Sequence, residues 1–133
     1  DEVNYSDIDL DYDKIELAYQ NVDGTTPTSN YFLDDFNKLK AKSNGEDDEF
    51  IYNKSMCYKI RNALAHGNVE TKFTMDENGN LNHYIVLNDI YKGKIRTVKM
   101  DLDTFRKFVC SKAFLPEYCL IKEKEEEKKL KLK

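Results

Sequence analysis

The fold is decided by residues 50–67, which read FIYNKSMCYKIRNALAHG. Successive residues of an α-helix turn by about 100°, and at that spacing the apolar side chains of this stretch fall on one side. The residues of this apolar face are Phe50, Met56, Cys57, Ile60, Ala63 and Leu64. Gly67 follows directly, as glycine often does after the last helical turn. We therefore predict a long helix from about Asp47 to His66, the motif helix, with this face against the domain core.

The opposite side of the motif helix is semi-polar and carries few charges. Its residues are Ile51, Ser55, Tyr58, Asn62 and His66. A helix that is apolar on one side and half apolar on the other is typical of burial on both sides. This second face is therefore expected to lie against a missing segment, a second subunit or a substrate.

Three residues at the end of the motif helix have side chains suited to chemistry on a phosphate. Asn62 and His66 are four positions apart and lie on one face, whereas Arg61 lies about 140° around the helix from His66. Two such helices facing across a two-fold axis would bring both sets together. The negative end of the helix dipole favours imidazolium at His66, and the planar guanidinium of Arg61 matches a phosphate. The pattern favours proton transfer beside a bound phosphate.

Helices are predicted before the motif helix, and a small sheet is predicted after it. Period-two alternation and glycine turns indicate strands, and good caps and apolar stripes indicate helices. The predicted helices are Asp13 to about Val22, about Ser29 to Lys42, Thr104–Ala113 behind an Asp101 or Asp103 cap, and a last helix from Pro116. The predicted strands are Val69–Met75, Leu81–Ile90 and Lys94–Met100. The fold class predicted is α+β, mainly α: a helical bundle with a small antiparallel hairpin sheet after the motif helix.

Length and charge limit the classes of protein to which the chain can belong. Its 133 residues suit one domain. The net charge is −4, and residues 1–50 hold 14 acidic and 4 basic side chains. Residues 51–100 hold 8 basic and 4 acidic side chains, so only this part has a sign that helps to bind a phosphate backbone. The chain as a whole is not expected to be drawn to nucleic acid by its charge.

The composition favours a cytoplasmic protein without a cofactor. Apolar runs are too short to cross a bilayer, so no membrane contact is expected. The cysteines Cys57, Cys110 and Cys119 are odd in number and lack metal-ligand spacing, which favours a reducing compartment and predicts small core residues. The histidines are His66 and His83, too few for a His-based zinc cluster, and His83 is predicted at the surface. No glycine-rich phosphate-binding motif is present.

A resemblance to a known family arises from residues 61–66, RNALAH. They fit the Arg-(Asn/Asp/His)-x-x-x-His signature of the HEPN superfamily of ribonucleases. The stretch MCYKIRNALAHGN, followed by a hairpin and a short helix, resembles the HEPN domains of bacterial abortive-infection and toxin systems over about residues 29–115. The resemblance implies paired helical bundles with an active site shared across the pair. It also implies metal-independent RNA cleavage by the ribose 2′-hydroxyl, which leaves a 2′,3′-cyclic phosphate.

The resemblance also implies roles for the motif residues. Arg61 would stabilise the pentavalent phosphorane, and His66 would donate or accept a proton. Asn62 would position the imidazole or the ribose by hydrogen bonds. Further candidates for RNA contact are Ser55, Tyr58 and Lys59. The expected protein is a metal-independent endoribonuclease of a bacterial defence or toxin system. It would act on RNA as a homodimer through the motif helix, with an antitoxin or a larger parent protein as a further partner.

The chain is predicted to divide into three segments. An acidic arm or linker is predicted over 1–12, a HEPN-like domain over 13–115, and a C-terminal helix with a charged tail over 116–133.

One alternative function is a non-catalytic HEPN module that binds RNA, nucleotide or a protein partner. Another is a dimerisation domain that uses Asn62 and His66 as polar interface residues. A carboxylate metal site is a weaker alternative, because adjacent acids on a helix point about 100° apart. Its candidates are Asp34, Asp35, Asp47 and Asp48.

Overall fold

A computed structural model describes residues 4–110 as a four-stranded antiparallel sheet with three α-helices. The strands are β1 (Ile15–Asn21), β2 (Val69–Met75), β3 (Leu81–Tyr91) and β4 (Lys94–Asp101). The helices are α1 (Tyr31–Ala41), α2 (Asp48–Ala65) and α3 (Leu102–Val109). Short 3-10 turns at Tyr5–Asp7 and Tyr12–Lys14 precede β1. The strand order is β1-β4-β3-β2, so the first strand of the chain pairs with the last described one.

The predicted mainly helical bundle is wrong. The helices span 11, 18 and 8 residues and the strands span 7, 7, 11 and 8, so the sheet is almost as large as the helical part. The predicted hairpin is real, but β4 and β1 extend it into a sheet that forms one layer of the domain. The three strands after α2 start where the sequence predicts them, and two of them run one residue further.

The extra strand, β1, occupies the place of a predicted helix. Ile15, Leu17 and Tyr19 alternate along it with a period of two, which is the strand pattern. β1 pairs antiparallel with β4, with Leu17 opposite Val98. The helix prediction used the helical spacing of Ile15 with Ala18, and a segment of seven residues fits both periods. Pairing with a distant strand decides between them.

The core lies between α2 and one face of the sheet. Ile85 and Leu87 of β3 and Val98 and Met100 of β4 are inward-facing, and each is at most 4% exposed. The side chains of α2 that meet them are Met56, Cys57, Ile60 and Ala63, at most 1% exposed, and Phe108 of α3 closes the cluster. The predicted apolar face therefore packs as expected, except that Leu64 is 36% exposed.

The segment before β1 packs on this core. Tyr5 is buried, and Ile8, Leu10 and Tyr12 pack against the same cluster. The predicted arm at 1–12 therefore contributes side chains to the domain, although its boundary remains a prediction. The predicted helix and charged tail at 116–133 lie outside the described residues. None of the helices between residues 4 and 110 combines the length and apolarity that a bilayer crossing requires.

Candidate functional site

The motif helix, α2, is fixed at both ends by local interactions. The Asp47 side chain accepts a hydrogen bond from the backbone N–H of Phe50 at 2.9 Å, as an N-cap does. At the other end His66 is the C-cap, and Gly67 adopts a φ of +69°. The backbone N–H of Asn68 returns to the carbonyl of Ala63 at 2.9 Å. This closure confirms the predicted helix and ends it directly after the histidine.

His66 is exposed at this end of α2. Its backbone N–H donates to the carbonyl of Asn62 at 3.0 Å, so the backbone that carries the imidazole belongs to the last helical turn. The histidine is therefore displayed on a rigid element, outside the core of its own protomer.

Arg61 lies against the N-terminal segment. Its Nη1 donates to the hydroxyl of Tyr5 at 3.3 Å. Tyr5 is itself held by edge contacts with the rings of Phe50 and Tyr58. Arg61 and His66 are five positions apart, about 140° around the helix, so this anchor holds the guanidinium on a different side of α2 from the imidazole.

Asn62 is exposed and contacts the sheet. Its side-chain amide lies close enough to the carboxylate of Asp89 on β3 to favour the charged form of that group and so to lower its pKa. Asn62 also lines a cleft of about 290 Å³ between α1, α2 and the adjoining ends of β3 and β4. The structure therefore places the three motif residues in three settings: Arg61 at Tyr5, Asn62 at the cleft, and His66 at the helix end.

The other candidate residues meet at the same cleft. Ser55, Tyr58 and Lys59 line it together with Asn62, as their shared helix face predicts. Tyr58 is 42% exposed, whereas Ser55 and Lys59 are each 4% exposed. Only Tyr58 of these three therefore presents a large surface to a ligand.

A buried ionic network forms the floor of the cleft. The Nζ of Lys59 contacts the carboxylate of Asp35 at 2.9 Å and donates to the hydroxyl of Ser55 at 2.7 Å. Arg96 binds the same carboxylate with two nitrogens, Nη2 at 2.9 Å and Nε. Asp89 lies opposite Arg96 in the β3–β4 register. Two cations and two carboxylates thus share this floor.

Burial shifts the titration of two members of the network. It lowers the pKa of Lys59, and the hydrogen bond and charge of Asp35 oppose that shift. Burial raises the pKa of Asp89, although the charges of Arg96 and Lys59 and the hydrogen bond from Asn62 act in the opposite direction. In both groups, loss of water outweighs the attraction of the partners.

Asp35, Asp89 and Arg96 were not predicted from the sequence as residues of the site. A signal for two of them exists, because Asp89 follows Ile85 and Leu87 on the inward face of β3, and Arg96 precedes Val98 on β4. A charged residue at an inward position of an alternating strand indicates a buried partner or a site. Asp35 gives no such signal, because it contacts Lys59 only through the packing of α1 on α2.

The predicted second face of α2 is covered in a different way from that expected. Ile51 is 2% exposed and Ser55 is 4% exposed within the single chain. α1 packs on this side of α2 and contacts Asp48, Tyr52 and Lys59, so no absent segment, subunit or substrate is needed there. On the predicted second face, Tyr58, Asn62 and His66 remain exposed.

The structure also tests the predicted positions of the cysteines and of His83, and the predicted metal ligands. Cys57 is in the core, where burial raises the pKa of its thiol to about 12, but Cys110 is exposed and its predicted core position is wrong. Cys119 lies outside the described residues. His83, predicted at the surface, is half-buried and stacks on Phe73 at 4.1 Å. Between residues 4 and 110 no group of three His, Cys, Asp or Glu side chains is placed to hold a metal ion.

Comparison with known proteins identifies the family. A family model described as HEPN pEK499 p136 matches residues 4–126, which is most of the 133-residue chain. No curated protein and no solved structure matches the chain. The match confirms the resemblance that the motif residues indicate, and it spans both the N-terminal segment that anchors Arg61 and the sheet that anchors Asn62. The chain belongs to the HEPN pEK499 p136 family and contains a HEPN-superfamily domain.

Proposed function

We propose that this protein is a metal-independent endoribonuclease whose active site forms where two copies of α2 face each other. HEPN domains are often ribonucleases, and this chain has their motif at Arg61, Asn62 and His66. The observation that carries the proposal is where the motif lies. Asn62 and His66 are exposed in the last turns of α2, and Arg61 is half-buried beside them, beyond the residues Asp48, Tyr52 and Lys59 that α1 contacts.

The arrangement within one chain explains why a second copy is needed. Arg61 is held at Tyr5, about 140° around α2 from His66, so the two groups do not converge on one atom. A two-fold axis beside the exposed end of α2 places the arginine of one protomer near the histidine of its partner. It also supplies two imidazoles, so one can act as base and the other as acid.

The proposed reaction is an internal transfer at one phosphate of RNA. One imidazole takes the proton of the ribose 2′-hydroxyl, and the 2′-oxygen forms a bond to phosphorus. The bond from phosphorus to the 5′-oxygen breaks, and the second imidazole protonates that oxygen. Arg61 donates N–H groups to the non-bridging oxygens as their charge increases. The products are a 2′,3′-cyclic phosphate and a 5′-hydroxyl, so no water or metal is consumed in the step.

The test is cleavage of single-stranded and transfer RNA in the presence of EDTA. We expect the wild-type protein to cut, and His66→Ala or Arg61→Ala to lose at least about 10²-fold in rate. His83→Gln is the matched control, because His83 lies on β3 and takes no part in the proposed site. The 3′ ends of the products should be cyclic phosphates. Equal cleavage by His66→Ala and wild type, with both proteins folded, would falsify the proposal.

A non-catalytic module that binds RNA or nucleotide is the second candidate function. The cleft beside Asn62 favours it, because a 290 Å³ cavity with polar floor and aromatic walls is close to the lower size of small-molecule sites, about 300 Å³. RNA that is retained by the protein but recovered at full length would support this candidate over the nuclease.

A role in bacterial defence or as a toxin belongs to the same proposal. Expression of the wild type in a bacterial host should then arrest growth, and expression of His66→Ala should not. An antitoxin or a larger parent protein would be the partner that restrains it. If the wild-type protein cleaves RNA and the host nevertheless grows normally, the nuclease proposal holds and the toxin role is contradicted.

A further inference from the structure

The cleft beside Asn62 has features that the proposed cleavage step does not use. Its floor contains Lys59 and Arg96, which are 4% and 7% exposed, and the carboxylates of Asp35 and Asp89. Fully charged groups at this depth are costly unless they are paired or serve a ligand. The ligands that the cleft can bind therefore depend on which of these four charged groups are already paired with one another.

The charges of the floor argue against an anion. Asp35 contacts both Lys59 and Arg96, and Asp89 lies opposite Arg96. A phosphate would therefore meet cations that are already neutralised and would also approach two carboxylates. An uncharged ligand that donates hydrogen bonds to a carboxylate fits this floor better.

The walls of the cleft favour a flat ring. Tyr58 on α2 is 42% exposed and Tyr91 at the end of β3 is 60% exposed, and both line the cavity. Unpaired bases of single-stranded RNA are held by stacking on such rings. A volume of about 290 Å³ suits one base rather than two.

The carboxylate of Asp89 selects among the bases. It lines the cleft and is 9% exposed, and its two oxygens offer roughly four acceptor positions, more than the amide of neighbouring Asn62 can fill. Guanine presents two adjacent donors, N1–H and the N2 amino group, which match the two oxygens of a carboxylate. Adenine, cytosine and uracil each place an acceptor beside the donor on that edge, and this acceptor is repelled.

We propose that this cleft is a guanine-binding subsite that holds one unpaired base of the RNA beside the cleavage site. The inference rests on the proposed function in taking the base to be part of an RNA substrate. Asn62 contacts Asp89 and neighbours Arg61 in the motif, so it links the base to the reacting phosphate. Cleavage next to guanosine follows from this arrangement.

Binding of free nucleosides tests the subsite without any cleavage. Guanosine, adenosine, cytidine and uridine are titrated separately into the wild-type protein and followed by NMR. We expect guanosine to bind at least about tenfold more tightly than the others, and Tyr91→Ala to weaken it by about tenfold. Phe73→Ala is the matched control, because Phe73 is a similarly exposed ring on β2, away from the cleft. Asp89→Asn should remove the preference for guanosine, with Asp103→Asn as its control.

The outcomes separate this inference from the proposed function. Equal binding of all four nucleosides, or unchanged guanosine binding by the folded Tyr91→Ala protein, would overturn the subsite. Guanosine binding by a protein that does not cleave RNA would support the subsite and contradict the nuclease. RNA cleavage without base preference, by a protein that does not bind guanosine, would contradict the subsite and support the nuclease.

Discussion

At the scale of single residues, Asp35 is the most consequential side chain of the ionic network. It contacts both Lys59 and Arg96, whose side chains are 5% and 9% exposed. Removing one partner of a buried pair leaves an uncompensated charge, at a cost of about 3 kcal/mol. We therefore expect Asp35→Ala to lower the free energy of unfolding by this amount, measured by urea denaturation.

A matched variant makes this prediction specific. Asp103→Ala also removes an aspartate and its contact with Arg106, but that pair is exposed, with side chains 87% and 67% accessible. An exposed pair contributes little, so this change should cost less than about 1 kcal/mol. A smaller loss for Asp35→Ala than for Asp103→Ala would contradict the description of the network.

The residue scale also shows what the sequence could and could not indicate about the site. Ser55, Tyr58 and Asn62 share one helix face, and helical geometry alone predicts that they lie together. Asp89 could be recognised as a charge at an inward strand position, but its place beside α2 depends on packing, and for Asp35 no local pattern gives a signal. The half of the cleft contributed by one helix was therefore predictable, and the meeting of that half with the other elements was not.

At the scale of elements, α3 depends on its N-cap. The Asp101 carboxylate accepts a hydrogen bond from the backbone N–H of Thr104 at 2.8 Å, and this bond holds the pKa of Asp101 below its ordinary value. The stabilisation is therefore present above the pKa of the unfolded chain, about 3.9, and is lost as the pH falls through the lower pKa of the folded protein. Asp101→Ala should cost about 1 kcal/mol at neutral pH and progressively less below pH 4.

Asp101→Asn is the control for the pH dependence, because asparagine is an equally good cap and does not titrate. Its stability at neutral pH should be close to that of the wild type. The free energies of unfolding of the three proteins are compared between pH 2 and pH 7. An Asp101→Ala deficit that stays constant over this range would contradict the role of the carboxylate.

The elements also differ in how well the sequence predicted them. β2, β3 and β4 are separated by glycine turns, and their strands have clear alternation, so their bounds follow to within one residue. β1 has only seven residues and fits two periods, and its true state depends on pairing with β4. Its assignment therefore required information from the other end of the described chain.

At the scale of the whole molecule, the proposed active site requires two protomers. We expect a homodimer by sedimentation. Because the proposed step uses both imidazoles, we expect a one-to-one mixture of wild type and His66→Ala, after subunit exchange, to cleave RNA at about a quarter of the rate of the same total amount of wild type, since only about a quarter of the dimers then retain two histidines. RNA cleavage rate as a function of mixing ratio is the measurement.

Two results would contradict a shared site. One is a protein that sediments as a monomer at high concentration and still cleaves RNA. The other is a mixture that exchanges subunits, as shown by labelled protomers, yet keeps half of the wild-type rate. Wild type and His66→Ala that are mixed without time to exchange are the control, because half of the dimers then still retain two histidines.

The order of the strands also determines when the arginine is held in place during folding. β2, β3 and β4 follow one another through short turns, whereas Ile15 of β1 pairs with Met100. Pairings between neighbours in the chain form early, and pairings across long loops form late. The hydrogen bond from Arg61 to Tyr5 joins residues 56 positions apart, so it too belongs to the contacts that close a long loop. A destabilising change at either end of the described chain is therefore expected to weaken the setting of the guanidinium before it disturbs the turns between β2, β3 and β4.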